Sequence, residues 1–155
     1  MEHIKIGGEA PDFDLPGDGG SRVSLSAHRG SIVVLFFYPK DDTSGCTAEA
    51  VDFTSLKPEF DSIGAVLIGM SPDSVKKHDK FKDKHGLSVA LASDEEKTTL
   101  ETYGVWVEKS MYGRKYMGVE RTTFLIGPDG KIAAVWNKVK VPGHAEAVLK
   151  AAQAL

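Results

Sequence analysis

Short apolar runs alternate along this chain with segments in which apolar residues recur every three or four positions. The clearest run, Ile32-Val33-Val34-Leu35-Phe36-Phe37-Tyr38, has no polar alternation, the pattern of a strand covered on both faces. Ala65-Val66-Leu67-Ile68-Gly69-Met70 repeats that character. Between the two, the spacing from about Thr43 to Leu56 predicts a helix. Ahead of them, Pro16-Gly17-Asp18-Gly19-Gly20 reads as a tight turn between short strands around Phe13 and Val23-Leu25, a β-hairpin lead-in.

Further along, Ser71-Pro72 supplies an N-cap and a proline at the first helical position, and Gly86 ends that helix. Val75, His78, Phe81 and His85 then fall on one stripe. A strand near Val89-Leu91 leads to Ser93 and Glu96, which have capping-box spacing for a helix running to Tyr103 and closed by Gly104. In the last third, Thr122-Ile126 and Lys131-Trp136 flank Gly127-Pro128-Asp129-Gly130, a hairpin signal. Pro142-Gly143-His144 opens a terminal helix with Val148, Ala152 and Leu155 on one face. This order predicts an α/β, thioredoxin-like fold: a central mixed β-sheet flanked by helices, with an N-terminal β-hairpin extension.

The 155 residues, 41% apolar, suffice for one well-buried core, so residues 1-155 are expected to form a single domain. A net charge of -3 and a pI near 5.9 argue against nucleic acid or anionic lipid as partners. No apolar run approaches the ~20 residues of a membrane helix, and Met1-Glu2-His3-Ile4-Lys5 lacks the pattern of a secretory leader. A cytoplasmic protein is expected. The chain has one cysteine, so no disulfide forms within it, and Cys-x-x-Cys chemistry is excluded.

That cysteine, Cys46, follows the first apolar run in Pro39-Lys40-Asp41-Asp42-Thr43-Ser44-Gly45-Cys46-Thr47-Ala48-Glu49-Ala50, at a strand-to-helix junction. The start of a helix carries unpaired N–H groups and partial positive charge, a setting that favours the thiolate, the form of sulfur that does chemistry. The competing reading is a small buried hydrophobe; a cysteine kept for packing would sit more naturally within Ile32-Phe37. By position alone Arg121 reads as a surface arginine at a strand start, Thr43 as a helix N-cap and Glu49 as a helix-surface carboxylate.

Pro39-x-x-x-Thr43-x-x-Cys46 after Phe36-Phe37-Tyr38, with Arg121-Thr122-Thr123-Phe124-Leu125-Ile126 downstream, resembles the peroxiredoxins. Ala10-Pro11-Asp12-Phe13, Gly69-Met70-Ser71-Pro72-Asp73-Ser74 and Tyr103-Gly104-Val105-Trp106 extend the resemblance to the bacterioferritin comigratory protein, or peroxiredoxin Q, subfamily over nearly the whole chain. The resemblance implies reduction of hydrogen peroxide or organic hydroperoxides by a Cys46 thiolate, in antioxidant defence and without bound cofactor or metal. It also implies that Thr43 holds the peroxide, Arg121 stabilises the leaving oxygen, Pro39 shields the sulfur and Glu49 orients the arginine.

The chain departs from that pattern where many subfamily members carry a resolving cysteine: the fifth residue after Cys46 is Val51, and Phe81-Lys82-Asp83-Lys84-His85 contains none. It resembles a one-cysteine variant whose sulfenic acid is reduced from outside, by thioredoxin, glutaredoxin with glutathione, or another small thiol. Val51 is expected to pack the helix more firmly. A monomer is the subfamily expectation, with a Cys46-linked dimer the alternative. The five histidines lack metal-site spacing and are expected in structural or surface roles, His78 and His85 at amphipathic boundaries. Lys76, Lys77, Lys80, Lys82 and Lys84, alternating with Asp79 and Asp83, read as a solvated face. Glu108 to Gly118 reads as a loop offering apolar surface near the site. A peroxide-sensing or holdase module, a cysteine hydrolase and a thiol-disulfide exchanger are the rival functions; the last two lack a histidine partner motif and a second cysteine respectively.

Overall fold

The computed structural model describes residues 4–155, and the role expected for His3 lies outside the described residues. β1 (Asp14–Pro16) and β2 (Arg22–Ser24) form the antiparallel lead-in hairpin. β3 (Val33–Phe37), α1 (Ser44–Ser62), β4 (Val66–Ser71), α2 (Val75–His85), β5 (Ala90–Ser93) and α3 (Thr98–Thr102) then alternate. β6 (Trp106–Met111), β7 (Arg114–Val119), β8 (Thr122–Ile126), β9 (Ile132–Trp136) and α4 (His144–Gln153) complete the order. The main sheet runs β5-β4-β3-β8-β9, with β3, β4 and β5 parallel and β8 and β9 antiparallel. This is the expected mixed, thioredoxin-like sheet, and the lead-in hairpin touches its β5 edge through Gly17 and Ala92.

β3 is buried at every position because both faces of the sheet are covered. Val34, Phe36 and Tyr38 point to one side, against Phe53 and Phe60 of α1, Phe81 of α2 and Val148 of α4. Val33, Leu35 and Phe37 point to the other, against Phe13, Val23, Leu100 and Tyr103. Each side chain of this size, taken from water, contributes roughly 1.5–3 kcal/mol. At the end of β3, Phe37 pairs with Met70 of β4 on one side and with Thr122 of β8 on the other. The carboxyl end of β3 therefore lies beside the start of β8.

Several local expectations are corrected. α1 passes through Pro58 and ends at Ser62 rather than near Leu56; burial of Phe60 in the core rewards the extra turn that a proline would otherwise discourage. Ser71 and Pro72 do not open α2. Ser71 stays in β4, paired with Ser93, and Ser74 is the N-cap, its hydroxyl accepting from the Lys77 amide at 3.2 Å. Ser93 likewise belongs to β5, so there is no Ser93–Glu96 capping box; Asp94 instead accepts from the Leu100 amide at 2.8 Å. The segment from Glu108 to Gly118 is a hairpin rather than a loop. Tyr112 and Gly113 both have positive φ, 51° and 76°, as a two-residue turn matching strand twist requires. Leu155 lies beyond α4 and is exposed, off the Val148–Ala152 face. Val51 is exposed on α1 and packs into neither core cluster.

Gly69 shows how closely β4 is packed. A β-carbon there would meet the Phe36 ring at 2.8 Å and the Leu91 side chain at 3.0 Å, both fully buried. Gly69→Ala is expected to destabilise the protein by about 1–3 kcal/mol, read as a lower urea midpoint; an unchanged midpoint would show that Phe36 has room to move.

Candidate active site

Cys46 is the third residue of α1 and is buried. The register of β3 and β8 carries Arg121, the residue before β8, to the same edge of the sheet as the start of that helix. Arg121 Nη2 donates to Cys46 Sγ at 3.2 Å, and Nη1 donates to Glu49 Oε1 at 2.7 Å. Glu49 stands three residues after Cys46, on the same face of α1. One guanidinium thus faces sulfur and carboxylate with separate nitrogens, a use of its fork that a lysine cannot reproduce. Gly45 permits the approach, since a β-carbon there would lie 3.2 Å from Arg121 Nη2.

Thr43 occupies the N-cap position, with φ -86° and ψ 156°. Its hydroxyl caps no helical amide. It donates to the Lys40 carbonyl at 2.9 Å, and the Thr43 carbonyl accepts from the Thr47 amide at 2.8 Å. Pro39 is half-buried and follows Tyr38 at the end of the β3 run. The structure therefore joins Cys46, Arg121 and Glu49 by direct contacts, and leaves Thr43 hydrogen-bonded within its own loop. Arg121 and Glu49 are not the surface residues that position alone suggested; Glu49 is 1% exposed. Among the described residues, no group of three or more His, Cys, Asp or Glu side chains is placed to hold a metal ion, and no helix is long and apolar enough to cross a membrane.

The sequence profile of the AhpC/TSA family matches residues 6–135. The chain belongs to the AhpC/TSA family. Similar family members include a putative peroxiredoxin bcp of Coxiella burnetii, 50% identical over 94% of this chain and 97% of that one. Peroxiredoxin Bcp of Bacillus subtilis is 48% identical over 95% of this chain and 94% of its own length. Among solved structures, a Xanthomonas campestris bacterioferritin comigratory protein described for alkyl peroxide reduction superposes with a TM-score of 0.88 at 47% identity, covering 92% and 90% of the two chains. A cysteine mutant of Xylella fastidiosa PrxQ gives a TM-score of 0.93 at 41% identity, covering 98% and 97%. The resemblance to the peroxiredoxins, and within them to the bacterioferritin comigratory protein subfamily, is borne out.

In this AhpC/TSA chain, two residues near the site had no sequence signal that marked them. His144, at the start of α4, is buried; its Nε2 shares a 2.8 Å hydrogen bond with the Thr123 hydroxyl and lies 4.0 Å from Glu49 Oε2. Its ring packs edge-on against Phe53 and Trp136. Asp41 is buried in the loop before Cys46 and meets His78 of α2. His78 is fully buried, correcting the boundary position expected for it. Neither histidine stood out beyond its place on a helix, because His78 and Asp41 are 37 positions apart in the chain, and His144 and Glu49 are farther apart still.

Glu49 and His144 lie within ion-pair distance, but burial works against the charge of each. Burial pushes the Glu49 carboxyl up to about 7, against the pull of Arg121, and Oε2 has no hydrogen-bond partner among the described residues. Burial, helped by the nearby Arg121 charge, pushes His144 down to about 4. Arg121 moves the other way: burial opposes its charge, yet Cys46 and Glu49 together raise it above its already high value. The Arg121 cation is thus the fixed charge of the site, and burial weighs against charge on both groups behind it.

Relative to the unfolded chain, folding shifts a proton from His144 to Glu49. The raised Glu49 value contributes stability that is full below 4.5 and lost as pH rises through about 7; the lowered His144 value contributes stability that is full above 6.5 and lost as pH falls through about 4. The slopes oppose each other over the shared window. Relative to wild type, Glu49→Gln is expected to gain stability as pH rises from about 4.5 to 7, and His144→Gln to lose it as pH rises from about 4 to 6.5. Urea unfolding across that range, each variant referenced to wild type, tests this; identical pH dependence in all three proteins would refute the proton shift.

Proposed function

We propose that this chain is a cytoplasmic thiol peroxidase in which Cys46 reduces hydrogen peroxide and organic hydroperoxides, and an external thiol of the thioredoxin or glutaredoxin/glutathione class regenerates it. The observation that carries the reading is the contact of Arg121 with Cys46 Sγ, made while its other nitrogen is held by Glu49. The naming of relatives as peroxiredoxins and the alkyl peroxide reduction ascribed to the Xanthomonas campestris protein support it.

In the first step the Cys46 thiolate attacks the terminal oxygen of the peroxide. An S–O bond forms, the O–O bond breaks, and the leaving hydroxide or alkoxide takes a proton from water. Sulfur is oxidised by two electrons to the sulfenic acid and the peroxide is reduced to water or alcohol. Negative charge moves from sulfur to the leaving oxygen. Arg121 stands beside the sulfur with an N–H that follows this charge, the arrangement that favours a transition state over its ground state. Glu49 orients the guanidinium, Thr43 holds the peroxide after its hydroxyl turns from the Lys40 carbonyl, and Pro39 keeps water from the sulfur.

With Cys46 the chain's only cysteine, the second step needs two outside thiols. One attacks the sulfenic sulfur and releases water, leaving a mixed disulfide; the other displaces Cys46 as thiolate. A single-domain monomer fits this cycle, since no second copy has to supply a sulfur; a Cys46-linked dimer is the alternative product when no reductant is present.

Stopped-flow mixing of reduced protein with hydrogen peroxide is expected to show one turnover, made continuous by thioredoxin or by glutathione with glutaredoxin. Cys46→Ser should abolish it. Arg121→Lys should slow it by about 10²–10³-fold, since the charge remains but the fork is lost. Oxidation no faster than that of free cysteine would overturn the peroxidase reading and favour a sensing role.

A further inference from the structure

The loop between β3 and α1 is tied to α2 by buried hydrogen bonds that the chemistry at Cys46 leaves unexplained. His78 Nδ1 lies 2.6 Å from Asp41 Oδ2, and Nε2 lies 2.9 Å from the Ala92 carbonyl. A carbonyl oxygen only accepts, so Nε2 carries a hydrogen. The other Asp41 oxygen accepts from the Tyr38 hydroxyl at 2.6 Å, and the Asp41 amide donates to Asp73 Oδ2 at 2.8 Å. With Oδ1 already served by a donor, a carboxylate at Asp41 requires a second proton on the ring, at Nδ1.

The same loop has a second attachment. Asp42 adopts φ 63°, a left-handed conformation that aspartate enters more readily than most non-glycine residues. Its carboxylate binds Lys84 at 2.8 Å and His85 at 2.7 Å, both at the end of α2. The residues from Tyr38 to Asp42 are therefore shaped by α2, and they deliver Pro39 and Thr43 to the start of the helix that carries Cys46.

We propose that His78 is a doubly protonated, buried imidazolium paired with Asp41, and that the pair acts as a positioning element for the peroxide reaction by fixing the loop that bears Pro39 and Thr43. The role rests on the peroxidase reading. The groups that face His78 are Asp41 from the loop, Asp73 from the β4–α2 turn and the Ala92 carbonyl from β5, with Tyr38 reaching the far side of Asp41. Burial alone would strip the ring of its charge; Asp41, the Ala92 carbonyl and Asp73 outweigh it and raise the His78 value above 6.5. The stabilisation from this pair is accordingly full below 6.5 and is lost as pH rises through the folded value.

Asp41→Asn separates geometry from charge. The amide oxygen can still accept from Tyr38, and its N–H can donate to Nδ1 of a neutral ring that keeps Nε2–H on Ala92, so every hydrogen bond survives while the charge pair is gone. Nitrogen NMR of wild-type protein at neutral pH is expected to show both His78 nitrogens protonated, and Asp41→Asn only one. Wild-type Cys46 oxidation should decline on the alkaline side relative to Asp41→Asn, in which that loss is absent. Asp41→Ala should slow oxidation by up to about a hundredfold with Arg121 and Cys46 intact. A single protonated nitrogen in the wild type would overturn the imidazolium, and a folded Asp41→Ala protein oxidised at the wild-type rate would overturn the positioning role. No Cys46 oxidation in the wild type would instead sink the peroxidase reading, and the positioning role with it, whatever the NMR showed of the ring.

Discussion

The antiparallel pairing of β3 with β8 is the constraint on which the site depends. Phe37 opposite Thr122 puts the residue before β8 next to the chain leaving β3, and a register shift of one residue would send the side chains of β8 to the opposite faces of the sheet. The pairing is strongly specified because both faces are buried: Leu125 belongs to one core and Phe124 and Ile126 to the other. The core that stabilises the fold thus also sets the position of Arg121 to within hydrogen-bonding reach of Cys46.

Around that contact the protein arranges its charges by burial. Arg121 keeps its charge because two partners, sulfur and carboxylate, compensate for what desolvation removes. Glu49 and His144, deeper in the molecule, are instead pushed toward their neutral forms. Desolvation at this depth works against a further Glu49–His144 ion pair, while Glu49 keeps its 2.7 Å bond to the Arg121 guanidinium. On the far side of the loop, His78 and Asp41 reach the opposite outcome, because both ring nitrogens face oxygen atoms.

How legible each part was depended on the range of the interaction behind it. The apolar runs of β3, β4 and β8 and the hairpin turn at Asp129-Gly130 were readable from local pattern, and so was the glycine stop at Gly86, where φ is 62°. Errors cluster where a polar residue near an element's end had two uses. Ser71 and Ser93 carry the right chemistry for caps, but both stay in the sheet because their hydroxyls are engaged by Asp73, one by its carboxylate and the other by its carbonyl. Tyr112-Gly113 carries little local turn signal, because a tyrosine at positive φ is rarely favoured locally.

Composition, period and motif spacing were sufficient to place Cys46 at the start of a helix after a buried strand, to nominate Arg121, Thr43 and Glu49 through a family pattern, and to exclude an internal disulfide. These are properties of neighbours along the chain, where periodicity and propensity act. Which nitrogen of Arg121 meets the sulfur, that Glu49 is buried with an oxygen unpartnered among the described residues, that Asp41 meets His78 and that Thr123 meets His144 depend on folding alone. Those contacts join residues far apart in sequence, and the protonation of the groups depends on how much water the assembled core removes.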